Sequence, residues 1–208
     1  MTDTPNATAD TARRARTFTM VTPPGWFQID LNPRTSRQSI RRLVAERTRT
    51  DKDSAGARRE LTRLLEDAVA AAGSQGAVFS ALYADIVDRT PIGASVIAAA
   101  VVAEGSLTPG GKFDLDRLQE LAGEAGRQTT VRDTEIVELP AGRAVRVHKE
   151  TALTAAGRPA YTDVVQYFLP MPGRFAVLIV TFSTPTLPLA EAFGELFDTM
   201  AASIEWVQ

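Results

Sequence analysis

Two rhythms of apolar and polar residues run along the chain. Residues 17–21 have a strand composition, Thr22-Pro23-Pro24-Gly25 supplies a turn, and residues 26–31 resume alternation. Asn32-Pro33 stops that run, and Thr35 or Ser36 can cap a helix after it. Over residues 36–49, Ile40, Leu43 and Val44 recur at helical spacing, with Arg37, Arg41, Arg42, Arg47 and Arg49 around the rest. The spacing predicts an amphipathic helix with a basic face. Asp53-Ser54 can cap a second helix running to about residue 72, striped by Ala57, Leu61, Leu64, Leu65, Ala68, Val69 and Ala72 and closed by Gly73.

Those helices need an apolar surface to lie on. Residues 77–87 alternate with aromatic and branched side chains, residues 88–93 turn, and residues 94–103 are almost wholly apolar, as in a strand covered on both faces. A short helix over 114–125 comes next, with Leu115, Leu118 and Leu121 inward. Residues 129–139, 143–153, 159–169 and 175–182 then read as four strands joined by short turns, which calls for an antiparallel meander. A helix over 187–204 closes the chain.

The meander predicts its own register. With Ala141-Gly142 as a two-residue loop, Ile136 faces Val147 and Glu135 faces His148; with the next loop centred on Ala156, Val147 faces Val165, Lys149 faces Asp163 and His148 faces Val164. Ile136, Val147 and Val165 would then form one apolar line across three strands. The fold class expected is α+β, a three-layer α/β/α sandwich around a six- to seven-stranded, mainly antiparallel sheet.

Composition narrows the chemistry. The 208 residues carry 23 Lys and Arg against 25 Asp and Glu, a net charge of -2, so the domain-wide basic excess of a nucleic-acid reader is missing. There is no cysteine and a single histidine, His148, which excludes disulfides, thiolate metal sites and paired-histidine sites. No cofactor is expected. Residues 1–16 read as a disordered tail and 17–208 as one domain. No apolar run reaches the roughly 20 residues of a membrane span, and the expected setting is cytoplasmic.

Pro24-Gly25-Trp26 leading into a strand and a helix, the meander, Phe182-Ser183-Thr184-Pro185, and the closing Leu196-Phe197-Asp198 with Ser203-Ile204-Glu205-Trp206 give the chain its resemblance to a known group. Over about residues 17–207 it resembles the PsbP-like fold group, which includes photosystem PsbP proteins, the Ran-binding Mog protein and the LpqN-type proteins of actinobacteria. The resemblance implies a non-catalytic binding or accessory protein and brings no catalytic residue with it. These 208 residues contain no cysteine, and residues 1–16 do not read as a signal, so the envelope location of the LpqN lipoproteins is not expected to carry over.

Two surfaces stand out as candidates. The helix bearing Arg37, Arg41, Arg42 and Arg49 can attract an acidic partner, most simply another protein, or anionic lipid; the plainer alternative is a solvated face balanced by Glu60, Glu66 and Asp67. The predicted register also gathers Glu135, Arg146, His148 and Gln166 on one polar strand face that could hold a small ligand or serve hydrolysis, although no serine or threonine nucleophile is identifiable beside His148. Gly110-Gly111-Lys112 lacks the spacing of a phosphate loop and reads as a turn. Asp85, Asp88 and Glu104 read as solvated strand-end charges rather than cation ligands. Trp26 and Trp206 read as packing at the two ends of the fold, with interface anchors as the alternative. A homo-oligomer remains open.

Overall fold

The structure, a computed structural model, describes residues 17–29, 36–47, 62, 76–87, 90–103, 106–108, 113–124, 128–155 and 158–207. The strands are β1 (Thr17–Thr19), β2 (Trp26–Gln28), β3 (Ala77–Val87), β4 (Thr90–Val102), β5 (Thr129–Leu139), β6 (Gly142–Ala155), β7 (Arg158–Pro170), β8 (Ala176–Thr184) and β9 (Glu205–Val207). The helices are α1 (Ser36–Arg47), α2 (Leu115–Gly123) and α3 (Ala190–Ala202), the last entered through a 3₁₀ turn at Leu187–Leu189. The chain is α+β. Seven strands form one antiparallel sheet in the order β2-β3-β4-β8-β7-β6-β5, and β1 pairs with β9 in a separate ribbon. The expected second helix falls outside the described residues except for Thr62, which is helical.

Alternation along the strands sends side chains to two faces, and each face has its own cover. On one, Val96, Ala98, Val165, Tyr167, Leu169, Leu178, Val180 and Phe182 pack with Phe193, Phe197 and Met200 of α3. Phe197 stacks on Phe182 at 5.0 Å and on Phe193 at 5.7 Å, which locks the helix across the middle strands. On the other face, Ile40, Leu43 and Val44 of α1 pack with Ile29, Phe27 and Leu82, while Leu118 of α2 packs with Val145, Val147 and Val177. Asp114 caps α2 by accepting from the Arg117 amide at 3.0 Å. Helices on both faces make the expected three-layer sandwich.

The two tryptophans tie the ends of the fold. The Trp206 indole donates to the Ala141 carbonyl at 2.9 Å, and Trp206 pairs with Phe18 in the ribbon. Trp26 lies 6.1 Å from Tyr83. Both tryptophans are partly buried against the α3-side core, as packing residues should be.

The register of the meander differs from the prediction at both hairpins. In the first, Leu139 pairs with Gly142, so the loop is Pro140-Ala141, and Gly142 opens β6 at a φ of 130° that favours glycine. Glu135 therefore faces Arg146, and Asp133 faces His148. That two-residue shift leaves the side chains from Asp133 to Leu139 on their expected faces. The second hairpin closes between Ala155 and Arg158 instead of around Ala156, a slip of one residue. A slip of one exchanges the faces: Val147 faces Gln166, His148 faces Val165 and Glu150 faces Asp163. The expected apolar line through Ile136, Val147 and Val165 does not exist; Ile136 joins Val145 and Phe168 instead.

Candidate functional site

The corrected register divides the charged and polar residues of β5, β6 and β7 between the two faces. On the α3 face, β6 presents Arg146, His148 and Glu150, β7 presents Tyr167 and Asp163, and β5 presents Glu135 and Asp133. A register shift between Val131 and Asp133 marks a β-bulge, which re-aims Arg132 toward this same face. There Arg132 Nη2 bonds Glu150 Oε2 at 2.7 Å, with Nη1 4.0 Å from Asp163 Oδ1.

Arg146 is the hub of one half of this network. Its Nε donates to the Tyr167 hydroxyl at 3.2 Å and to Asp198 Oδ1 at 3.1 Å, its Nη2 to Asp198 Oδ2 at 3.3 Å, and its Nη1 reaches Glu135 Oε1 at 3.5 Å. The Tyr167 hydroxyl, in turn, donates to Asp198. Because Asp198 sits on α3, the cluster bolts the helix to the sheet. Burial, reinforced by the bond to Asp198, pushes the Tyr167 hydroxyl above the ordinary tyrosine range. Burial works against the Arg146 charge, but the bonds to Asp198 and Tyr167 outweigh it and hold the guanidinium above its usual value.

His148 belongs to the other half. Its Nε2 lies 2.8 Å from Asp163 Oδ1, the imidazole 28% exposed and the carboxylate 1%. The second carboxylate oxygen, Asp163 Oδ2, is buried with no hydrogen-bond partner. The neighbouring Thr184 hydroxyl cannot serve it, since Thr184 donates to the Gly93 carbonyl at 2.7 Å. A buried carboxylate orienting a half-exposed imidazole is the arrangement of a general base, yet among the described residues no serine or threonine hydroxyl bonds His148.

Gln166 does not join this surface. The one-residue slip places it on the α2 face, where its Oε1 accepts from Lys149 and its Nε2 donates to Thr181 Oγ1 at 2.9 Å. Farther along that face, the Ser95 and Ser183 hydroxyls bond at 2.7 Å. Of the predicted ligand set, Glu135, Arg146 and His148 come together and Gln166 is across the sheet. Asp163, Tyr167, Asp198 and Arg132 complete the surface. The hairpin slip kept Asp163 out of the predicted set, and Asp198 could be joined to Arg146 only once α3 was laid on the sheet.

On α1, Arg37, Arg41 and Arg42 are all exposed, opposite the buried Ile40, Leu43 and Val44. Arg49 lies outside the described residues, as do Gly110, Gly111, Lys112, Asp88 and Glu104. Asp85 is exposed and accepts from the Tyr83 hydroxyl at 3.3 Å. Among the described residues, no group of three His, Asp or Glu side chains could hold a metal ion, and no helix is long and apolar enough to cross a membrane. A feature without a sequence signal is an open groove of about 470 Å³ at the β7–β8 turn, lined by Phe113, Pro170, Met171, Pro172, Arg174 and Phe175.

No protein-family model matches the chain, and no curated protein matches it.

Proposed function

We propose that the protein is a non-catalytic binding protein, PsbP-like in fold and cytoplasmic, that recognises an acidic protein partner through the basic face of α1. The observation that carries this is the division of labour on that helix. Ile40, Leu43 and Val44 are spent in the core, whereas Arg37, Arg41 and Arg42 face solvent and, among the described residues, none is paired with a carboxylate. The helix has no acidic residue in its first turn to offset them. Exposed arginines on one helix face suit planar, bidentate recognition of carboxylates. The succession of two short strands, helix, antiparallel meander and closing helix supports the PsbP-like reading. Reversing charge at Arg41 and Arg42 together should abolish capture of the partner from native lysate and leave the melting temperature in place. Capture that survives the reversal overturns the assignment.

A second reading, small-ligand recognition on the α3 face around His148, is favoured by the lone oxygen of Asp163, since a buried acceptor without a donor is costly. Small alcohols and amines, which can donate there, should raise the melting temperature of the wild type but not of His148→Ala. The absence of any wild-type shift removes this reading.

A further inference from the structure

The chain contains twenty arginines and three lysines, Lys52, Lys112 and Lys149. Among the described residues Lys149 is the one lysine; it lies on β6, and its surroundings differ sharply from those of the cations across the sheet. Its cross-strand neighbours are Val131 and Val164, and Val147 and Thr151 flank it along the strand on the same face. All are uncharged. Its polar contact is with the Gln166 carbonyl oxygen, and among the described residues no carboxylate pairs with it. Of the acids of these strands, Asp133, Glu135, Glu150 and Asp163 project to the opposite face, and Glu138, on the Lys149 face at the far end of β5, is engaged by Arg143 at 2.9 Å.

An ammonium that is desolvated without a counter-charge gains by losing its proton, and the neutral amine is a nucleophile. Burial does lower the Lys149 pKa below the ordinary lysine value. Arginine, which the chain uses almost everywhere else, could not play this part because it stays protonated. Polar side chains continue along the same face, bonded to one another. Gln166 leads to Thr181, and Ser183 and Ser95 continue a line of hydroxyls across β8 and β4 on the same face.

We propose that Lys149 is a carbonyl-capturing amine that condenses with the aldehyde or ketone group of a small molecule on the α2 face of the sheet. The Nζ lone pair attacks the carbonyl carbon, a C–N bond forms, and the carbonyl π pair moves to oxygen, which takes up the proton released by nitrogen. The resulting carbinolamine expels that oxygen as water and leaves an imine. No electrons are gained or lost, so no oxidant or reductant is required. This site is independent of the α1 surface and of the network around His148.

The test uses the full chain at neutral pH with pyridoxal 5′-phosphate as the probe, borohydride to trap the imine, and peptide mapping by mass spectrometry. One adduct, on Lys149, is expected, formed ahead of Lys52, Lys112 and the terminal amine. Lys149→Arg should lose that adduct while keeping the wild-type circular dichroism spectrum. Labelling that spreads over the other amines with Lys149 no faster than they are, or that spares Lys149, overturns the proposal. The wild-type map decides by itself, so the test does not depend on whether the variant folds.

Discussion

The two faces of β5, β6 and β7 are made by the same stretch of chain and solve opposite electrostatic problems. On the α3 face, Arg132, Arg146 and His148 are each matched with a carboxylate, and two of the acids, Asp163 and Asp198, belong to other elements. On the α2 face, Lys149 is held by an amide oxygen. Paired charges in a partly buried place fix geometry, since each partner can be removed only by stranding the other. A solitary amine fixes little and retains its reactivity. Alternation of side chains across a strand is what allows Arg146, His148 and Glu150 to live in one regime and Lys149 in the other.

The comparison can be broken most forcefully at His148. His148→Ala deprives the buried Asp163 of its closest donor and should cost about 3 kcal/mol of unfolding free energy, as stranded buried charges do. Asp163→Ala should cost clearly less, because the freed imidazole is half-exposed and can be hydrated. The double variant should recover much of the His148→Ala loss. Chemical denaturation of the three proteins checks this order, and equal losses for the two single variants would refute it.

The next effect is at Tyr167. Tyr167→Phe removes one hydrogen bond of the Asp198 cluster and should cost about 1 kcal/mol at neutral pH. The pH dependence adds a sign. The folded state holds the Tyr167 proton more tightly than the unfolded chain does, so its contribution is fully present below the ordinary tyrosine value of 10.0 and is lost as pH rises above it. Lys149 runs the other way, since its folded pKa lies below the ordinary 10.5. Its contribution is present above 10.5 and is lost as pH falls through the folded value. The alkaline destabilisation should therefore flatten in Tyr167→Phe and steepen in Lys149→Met, read from denaturation midpoints at pH 8 to 11. At pH 7, Lys149→Met, which keeps the bulk and drops a desolvated charge, should change stability by less than about 1 kcal/mol.

The smallest expected effect on stability is at α1. Arg41→Glu with Arg42→Glu should stay within about 0.5 kcal/mol of the wild type, because exposed charges away from special features rarely matter more. Thermal melts would check this alongside the partner capture.

Most of the architecture was legible because periodicity is a direct imprint of burial. The spans of β3 and β5, the amphipathic α1 with its exposed arginines, and the antiparallel order of the meander all follow from spacing. What the sequence hid was one residue of hairpin length between Ala155 and Arg158. Side chains repeat every two residues along a strand, so this single count moved Gln166 off the His148 face and brought Asp163 onto it. The two-residue error at Pro140-Ala141 did no such damage, leaving Glu135, Arg146 and His148 together. The bulge that redirects Arg132 has no distinctive residue to announce it. Asp198 stood in the sequence only as part of the closing Leu196-Phe197-Asp198 motif, and its role depends on tertiary packing over Arg146 and Tyr167. The pairing of β9 with β1 was likewise hidden, because residues 17–21 read as a strand but the three residues of β9 carry too little pattern to be recognised as its partner.

That β1–β9 ribbon also sets an order of events during synthesis. Phe18 pairs with Trp206, and the Val21 amide donates to the Ser203 hydroxyl at 2.9 Å, so the first described strand has its partners nearly the whole chain away. As the polypeptide emerges, β1 must remain unpaired until residues 203–207 have been made, and closing so long a loop is the kind of contact that slows folding. The ribbon is therefore expected to be the last part of the fold to close. The Trp206 indole on the Ala141 carbonyl would serve as the latch, its fluorescence reporting the moment the two distant ends of the fold come together.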